Sequence, residues 1–299
     1  EGIAVGLASK ILPHNFIELI EASIKYLKKQ PFVLLPDFPT GGSIDVARYN
    51  DGLRGGSVKV RAKIVKEDTK TLKITEIPFG CTSGSIIESI IKANDKGKIR
   101  IKKVDDNTAE KIEILVHLTP GTSPDQTIDA LYAFTDCEVS LSPTSCVIFD
   151  DKPRFLPVSE MLRHSVDRTL FLLQTELKIR LAELHDDWHF SSLEKIFFEE
   201  RIYRVLEKDT ETWEAVIDAI DRGFDPFRDR LRREITHDDL QKLTDKPVRK
   251  ISKFDIKKAD EYIKGIEAEI EEVENNLVHI VDYTIRWFEQ IAKKYGKGR

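Results

Sequence analysis

Several things are missing from this chain of 299 residues, and each absence removes a class of function. No apolar run approaches the roughly 18–20 residues that a membrane-spanning helix needs, so membrane insertion is not expected. The basic, then apolar, then small-residue layout of a secretory leader is absent as well. Cysteine is scarce. Cys81, Cys137 and Cys146 are odd in number and lack metal-ligand spacing, which points to free thiols in a reducing cytoplasm, most simply as small buried hydrophobes. Neither charge sign dominates: 47 Lys and Arg face 52 Asp and Glu, a net charge of −5. Bulk electrostatics therefore announces no nucleic-acid partner, and any such contact must rest on where the cations sit. There is no internal repeat and no low-complexity tract. Thr40-Gly41-Gly42-Ser43 lacks the lysine and spacing of a phosphate-binding loop and reads as a turn. An initiator methionine is also absent, and the abrupt apolar start EGIAVG reads as that of a segment cut from a longer chain.

What is present divides by periodicity. Phe16, Leu19, Ile20, Ile24 and Leu27 recur at helical spacing and predict an amphipathic helix over residues 15–29, with Asn15 as its N-cap and Pro31 as its stop. The Pro- and Gly-rich stretch 36–42 is a rigid loop. In VKVRAKI the period becomes two: Val58, Val60, Ala62 and Ile64 face one way, and Lys59, Arg61 and Lys63 the other. Residues 71–77 continue as a strand, 83–94 as a helix, and KIRIKKV as a second basic strand with Lys98, Arg100 and Lys102 on one face. A strand over 111–118 and a strand pair over 139–155, turning at Asp150-Asp151, complete an α+β domain.

From Val158 the texture changes. Leu162, Val166, Leu170, Leu173, Leu177, Leu181, Leu184 and Trp188 step by four and three, giving one apolar stripe on a long helix. Shorter helices follow from Leu193 to about Lys253, broken at Gly223–Pro226 and Asp245–Pro247. Ile263, Ile266, Ile270, Val273, Leu277 and Ile280, with Trp287 and Ile291 in the same register, form a coiled-coil seam. The two long helices suit an antiparallel pair carrying a small helical head. The expected divisions are 1–29, a connecting helix; 30–157, the α+β domain; and 158–299, the coiled coil with its head at about 190–255.

Read on their own, the chemistry-bearing residues are modest. Ile3 is a strand or core residue. Residues 48–63 hold Arg48, Arg54, Lys59, Arg61 and Lys63 against the single acid Asp51; this is either a solvated strand face or a surface tracking a phosphate backbone. His14 is a loop histidine beside a helix start. His185 and His189 lie one turn apart, but a third metal ligand at proper spacing is missing, and a polar helix end is the simpler reading. Phe197, Phe198, Ile202, Tyr203 and Leu206 are head core or interface. No nucleophile constellation stands out, and no catalytic residue is assigned.

In order along the chain, EGIAVGLASKILPHN, PDFPTGG, RYNDGLRGGSVKVRAKI, ITEIPFG, LYAFTDCEVSLSP and LTDKPVRKISKFD resemble the A subunit of bacterial type IIA DNA topoisomerases, the topoisomerase IV and gyrase family. The resemblance covers essentially the whole chain. It implies a fold of an α+β tower domain followed by a long antiparallel coiled coil with a small all-α dimerisation head, the exit gate. It also implies that the chain begins after the winged-helix domain with its catalytic tyrosine and ends before the C-terminal DNA-wrapping domain. On that footing Ile3 is the wedge that inserts between base pairs and bends the duplex. His14, Arg54, Lys59, Arg61 and Lys63 become candidate DNA contacts, which would position DNA without reading its sequence. The implied partners are double-stranded DNA, a second copy through the head, and the B subunit of topoisomerase IV in an A2B2 holoenzyme. ATP and Mg2+ belong to that B subunit, and this stretch holds no cofactor or metal and has no activity of its own. The rival from another class is a non-enzymatic DNA-binding coiled-coil scaffold.

Overall fold

The alternation at Val58, Val60, Ala62 and Ile64 does become extended chain, but it divides between two sheets. Strands β4 (Val58–Arg61) and β5 (Lys63–Lys66) part at Ala62. There the Ala62 N–H donates to the Cys137 carbonyl at 2.8 Å, and the Ala62 carbonyl accepts from the Tyr132 hydroxyl at 2.9 Å. In this computed structural model, which describes residues 2–207, 212–245 and 256–297, β4 lies between β3 (Ser43–Asp45) and β9 (Glu138–Leu141), both antiparallel to it. β5 opens a second, antiparallel sheet of order β5-β6-β8-β7, with β6 Thr71–Glu76, β7 Ile101–Asp106 and β8 Ile114–Leu118.

One face of that sheet is covered by α2 (Ser83–Asp95) and α3 (Pro124–Phe134). Leu72, Ile74, Ile114, Val116, Ile86, Ile90 and Leu131 are all fully buried between them. Each contributes about 1.5–3 kcal/mol relative to an exposed side chain. α3 lies outside the elements that the periodicity predicts; its start, Ser123-Pro124-Asp125, places a proline in the first turn where no amide partner is needed. The basic run KIRIKKV also differs from the alternation. Its strand starts only at Ile101, after the Lys98 amide has bonded back to Ala93 at the end of α2. A bulge between Ile101 and Lys103 then resets the register, so Lys98, Arg100 and Lys102 do not share one strand face.

Helix α1 (Phe16–Leu27) is capped by Asn15, whose side-chain oxygen accepts from the amides of Ile17 (3.0 Å) and Glu18 (3.3 Å). It ends through Lys29 in the left-handed region, φ 56°, before Pro31 is reached. The strand pair expected over 139–155 is β9, followed by a separate hairpin of β10 (Cys146–Phe149) and β11 (Lys152–Phe155). Asp150 and Asp151, φ 50° and 58°, form its two-residue turn.

Helix α4 (Val158–Glu199) runs 42 residues, about 63 Å at 1.5 Å per residue. The chain divides into two compact units, residues 1–167 with 287–299, and residues 168–286. Residues 1–29 thus belong with the α+β unit, and so does the end of the chain. In the first unit Ile20 of α1, Val166 of α4 and Phe288 of α8 (Ile280–Tyr295) form one buried cluster.

In the second unit α4 packs antiparallel on α7 (Ile256–Val278). Leu184 and Trp188 are buried against Ile266 and Ile270, with Leu181, Ile263 and Val273 at the edges. Lys195 pairs with Asp260 (2.6 Å), the Trp188 indole donates to Glu267 (2.9 Å), and Arg180 pairs with Glu269 (2.8 Å). The seam expected as one helix is divided at His279, between α7 and α8. Beyond Trp188, α4 does not end: it feeds Leu193, Ile196 and Phe197 into a second core with Ile217, Ile220 and Phe224 of α5 (Trp213–Phe224) and Leu240 and Leu243 of α6 (His237–Thr244). Residues 246–255, with most of LTDKPVRKISKFD and the Lys246-Pro247 break, lie outside the described residues. No helix among the described residues is long and apolar enough to cross a membrane.

Candidate nucleic-acid interface

Strands β1 (Gly2–Ala4) and β2 (Leu7–Ser9) make a hairpin whose turn, Val5-Gly6, uses the left-handed conformation of Gly6, φ 76°. Ile3, paired with Ala8, is 92% exposed. An isoleucine held this far into solvent by paired backbone is an apolar projection on a stiff support. The hairpin is fixed from behind. The Ser9 hydroxyl donates to the Cys146 carbonyl at 2.7 Å, and Lys10 and Thr144 exchange backbone hydrogen bonds of 2.8 and 3.0 Å. A shallow groove of about 200 Å³ runs between this hairpin and the β10–β11 hairpin, lined by Ile3, Leu7, Val147, Ile148 and Pro153.

The cations predicted on one strand face are handled differently by the fold. Lys59 and Arg61 lie on the same face of β4, and Glu138 of β9 clamps both, at 3.1 Å and 2.5 Å. The bond to Arg61, then the one to Lys59, holds the Glu138 carboxyl below the usual carboxylate range. Arg61 is further stacked over the Tyr132 ring, 4.9 Å from its centre. Lys63, across the Ala62 break, pairs with Glu76 of β6 at 3.3 Å. All three cations remain exposed, so each still offers charge to an anion. Neither carboxylate is expected from the sequence around the cations, although the strand-like alternation of Glu138-Val139-Ser140-Leu141 places Glu138 on an outward face.

Arg54 is different. It sits exposed at the tip of the 49–56 loop, with Gly55 at φ 90° beside it and no side-chain partner among the described residues. His14 is half-buried, its Nε2 3.2 Å from the Tyr49 hydroxyl. Burial lowers its pKa, so it is uncharged at neutral pH and is no standing cation for a phosphate. Burial also pushes the Tyr49 hydroxyl up to about 12. The hairpin, the Arg54 loop and the β4 face all belong to the first unit.

His185 and His189 do not mark a helix end, since α4 continues past both. His189 is buried, with Nε2 3.6 Å from the Asp239 carboxylate. No group of three metal-ligating side chains occurs among the described residues.

The sequence model of the family described as the A subunit of DNA gyrase/topoisomerase IV matches residues 1–289. The chain belongs to that family. The A subunit of DNA topoisomerase 4 from Borreliella burgdorferi is 35% identical over 297 residues, 99% of this chain and 47% of that protein. The DNA gyrase A subunit of Lawsonia intracellularis is 35% identical over 202 residues, 61% of this chain and 24% of that protein. The gyrase A subunit of Mycolicibacterium smegmatis is 28% identical over 304 residues, 92% of this chain and 34% of its own length. The chain thus spans less than half the length of these relatives. Within the topoisomerase family, a mixed α/β unit with several sheets followed by a long helix is the arrangement this chain adopts.

Proposed function

We propose that this chain is the DNA-bending and gate-forming part of the A subunit of an ATP-dependent type II topoisomerase, a topoisomerase IV. The observation that carries the reading is Ile3, 92% exposed on an anchored hairpin in a chain of this family. An apolar wedge pressed into a base step unstacks it, and the kink brings more of the duplex onto the protein. Arg54, Lys59, Arg61 and Lys63 serve the phosphates on either side, while His14 props the Arg54 loop through Tyr49.

The α+β unit takes the part of the tower, and α4, α7 and the helical core around Phe197 and Phe224 take the part of the coiled coil and dimerisation head. Head-to-head contact of two copies holds the assembly together while the duplex is open, then parts to release the passed segment. Phe197, Phe198 and Ile202 are committed to the head's own core and Tyr203 packs against it, which leaves the exposed Leu206 for the contact between copies. The nucleophilic tyrosine is assigned to another part of the protein, and ATP and Mg2+ to the B subunit of an A2B2 enzyme at work in the cytoplasm. The matches to gyrase A subunits keep supercoiling as the second reading, and an assay of the whole enzyme on relaxed plasmid separates the two.

The test is Ile3→Ala in the full-length protein with its B partner. Energy transfer between dyes at the ends of a short duplex reports the bend. The variant is expected to bend DNA less; unchanged bending at saturating protein removes the wedge.

A further inference from the structure

The long helix α4 lacks a cap of its own. Its first intrahelical bonds run from Glu160 and Met161 to the Pro157 carbonyl, at 3.1 and 3.0 Å, and proline offers no side-chain acceptor for the free amides of the first turn. The acceptor comes instead from 108 residues earlier in the chain. Both oxygens of Asp51 lie 3.3 Å from the Ser159 amide, and the Ser159 hydroxyl also donates to Asp51.

Asp51 is held in place by an unusual backbone. Asn50, Asp51 and Gly52 are successive left-handed residues, φ 51°, 49° and 79°. Such conformations persist where the surroundings over-determine them. Here the Ser145 hydroxyl donates to the Gly52 carbonyl at 2.8 Å. A Cβ at Gly52 would lie 2.7 Å from Val158 Cγ2 and 2.8 Å from Ser145 Oγ, so the loop is pressed onto the start of α4. Tyr49, at the start of the loop, is buried and bonded to His14, and at the far end the Ser57 amide donates to the Arg48 carbonyl at 2.8 Å. The feet of the loop are fixed while its tip, Arg54-Gly55, stands in open space.

We propose that residues 49–56 form a joint in which Asp51 positions the first turn of α4, so that a duplex phosphate held at Arg54 stiffens the start of that helix. This rests on the reading that Arg54 meets DNA. Ordering of the tip restricts the motion of Asp51 three residues away, and linkage requires the converse: loosening the cap weakens binding at Arg54 by the same factor. Asp51 touches no DNA in this scheme; it is a positioning residue.

Hydrogen exchange in the full-length protein, with and without a linear duplex, tests it. Adding the duplex is expected to slow exchange at the amides of residues 159–162 by roughly fivefold, the lower end of measured couplings between sites. Asp51→Ala should abolish the response, and Asp51→Asn, which keeps an acceptor oxygen, should restore most of it. Should Asp51→Ala fold poorly, Ser159→Ala removes the hydroxyl bond alone and is expected to weaken the response. If the duplex binds with a salt dependence that Arg54→Ala flattens, yet these amides do not change, the joint is wrong and the DNA contact stands. If Arg54→Ala alters neither the salt dependence nor the exchange, both fall.

Discussion

Glu138 makes a counter-intuitive prediction possible. It clamps Lys59 and Arg61 together, so the two cations proposed to meet phosphate are already partly neutralised. Glu138→Gln removes the charge and keeps the shape. Each cation freed to contact a phosphate adds about 0.9 to the slope of log affinity against log salt, so the two add up to about 1.8. Between 50 and 200 mM salt, a fourfold change, that corresponds to roughly a twelvefold additional loss of affinity, on top of tighter binding at low salt. The stability cost is small, since pairs whose cations are half exposed, as these are, contribute at most about 1 kcal/mol each. Fluorescence anisotropy of a labelled duplex with the full-length protein, over a salt series, measures the slope. If Glu138→Gln leaves it unchanged, and Lys59→Ala with Arg61→Ala does not flatten it, these cations lie off the DNA path and the reasoning from the β4 face fails.

Two further outcomes concern the second unit. Leu184 is buried against Ile266 and Ile270, so Leu184→Ala should lower the unfolding free energy by about 2–5 kcal/mol in denaturant titrations; a loss under about 1 kcal/mol would mean that the helix pair does not depend on this seam. His189 is held below the ordinary imidazole range by burial first and by Arg233 second, while the neighbouring Asp239 and Asp186 act the other way. The unfolded chain therefore takes up a proton before the folded one does. Stability is full above about pH 6.5 and falls below it by up to about 1.4 kcal/mol per pH unit, until the folded histidine also titrates. His189→Gln should flatten that slope; an unaltered pH profile would show that His189 does not set it.

The parts legible in the sequence are those where one physical signal acts alone. Asn15 caps α1 because a short polar side chain precedes an apolar helical period, and nothing distant competes. The four-and-three stepping of Leu181, Leu184 and Trp188 marks the face that meets α7. Failures occur where a tertiary partner intervenes. VKVRAKI alternates without interruption, yet Ala62 gives its backbone groups to Cys137 and Tyr132 and the strand changes sheet. KIRIKKV alternates too, but α2 reaches back to Lys98 and a bulge takes up Lys102. Among the proposed contacts, Ile3 could be singled out only by resemblance, because its isolated letter reads as core. The carboxylates that hold Lys59, Arg61 and Lys63 are 79, 77 and 13 residues away, beyond any local pattern. The cap that Asp51 gives to α4 spans 108 residues and left only an acid in a basic stretch as its trace.

The most direct measurement is photo-crosslinking of the full-length protein, bound with its B partner to a defined duplex, from a benzophenone amino acid placed at position 3 or at position 54. Crosslinks to DNA from both positions are the result expected, with those from position 3 confined to one base step in each half of the bent segment. Crosslinks from both positions to protein alone, with the duplex bound at normal affinity, would contradict the proposal that this surface carries DNA.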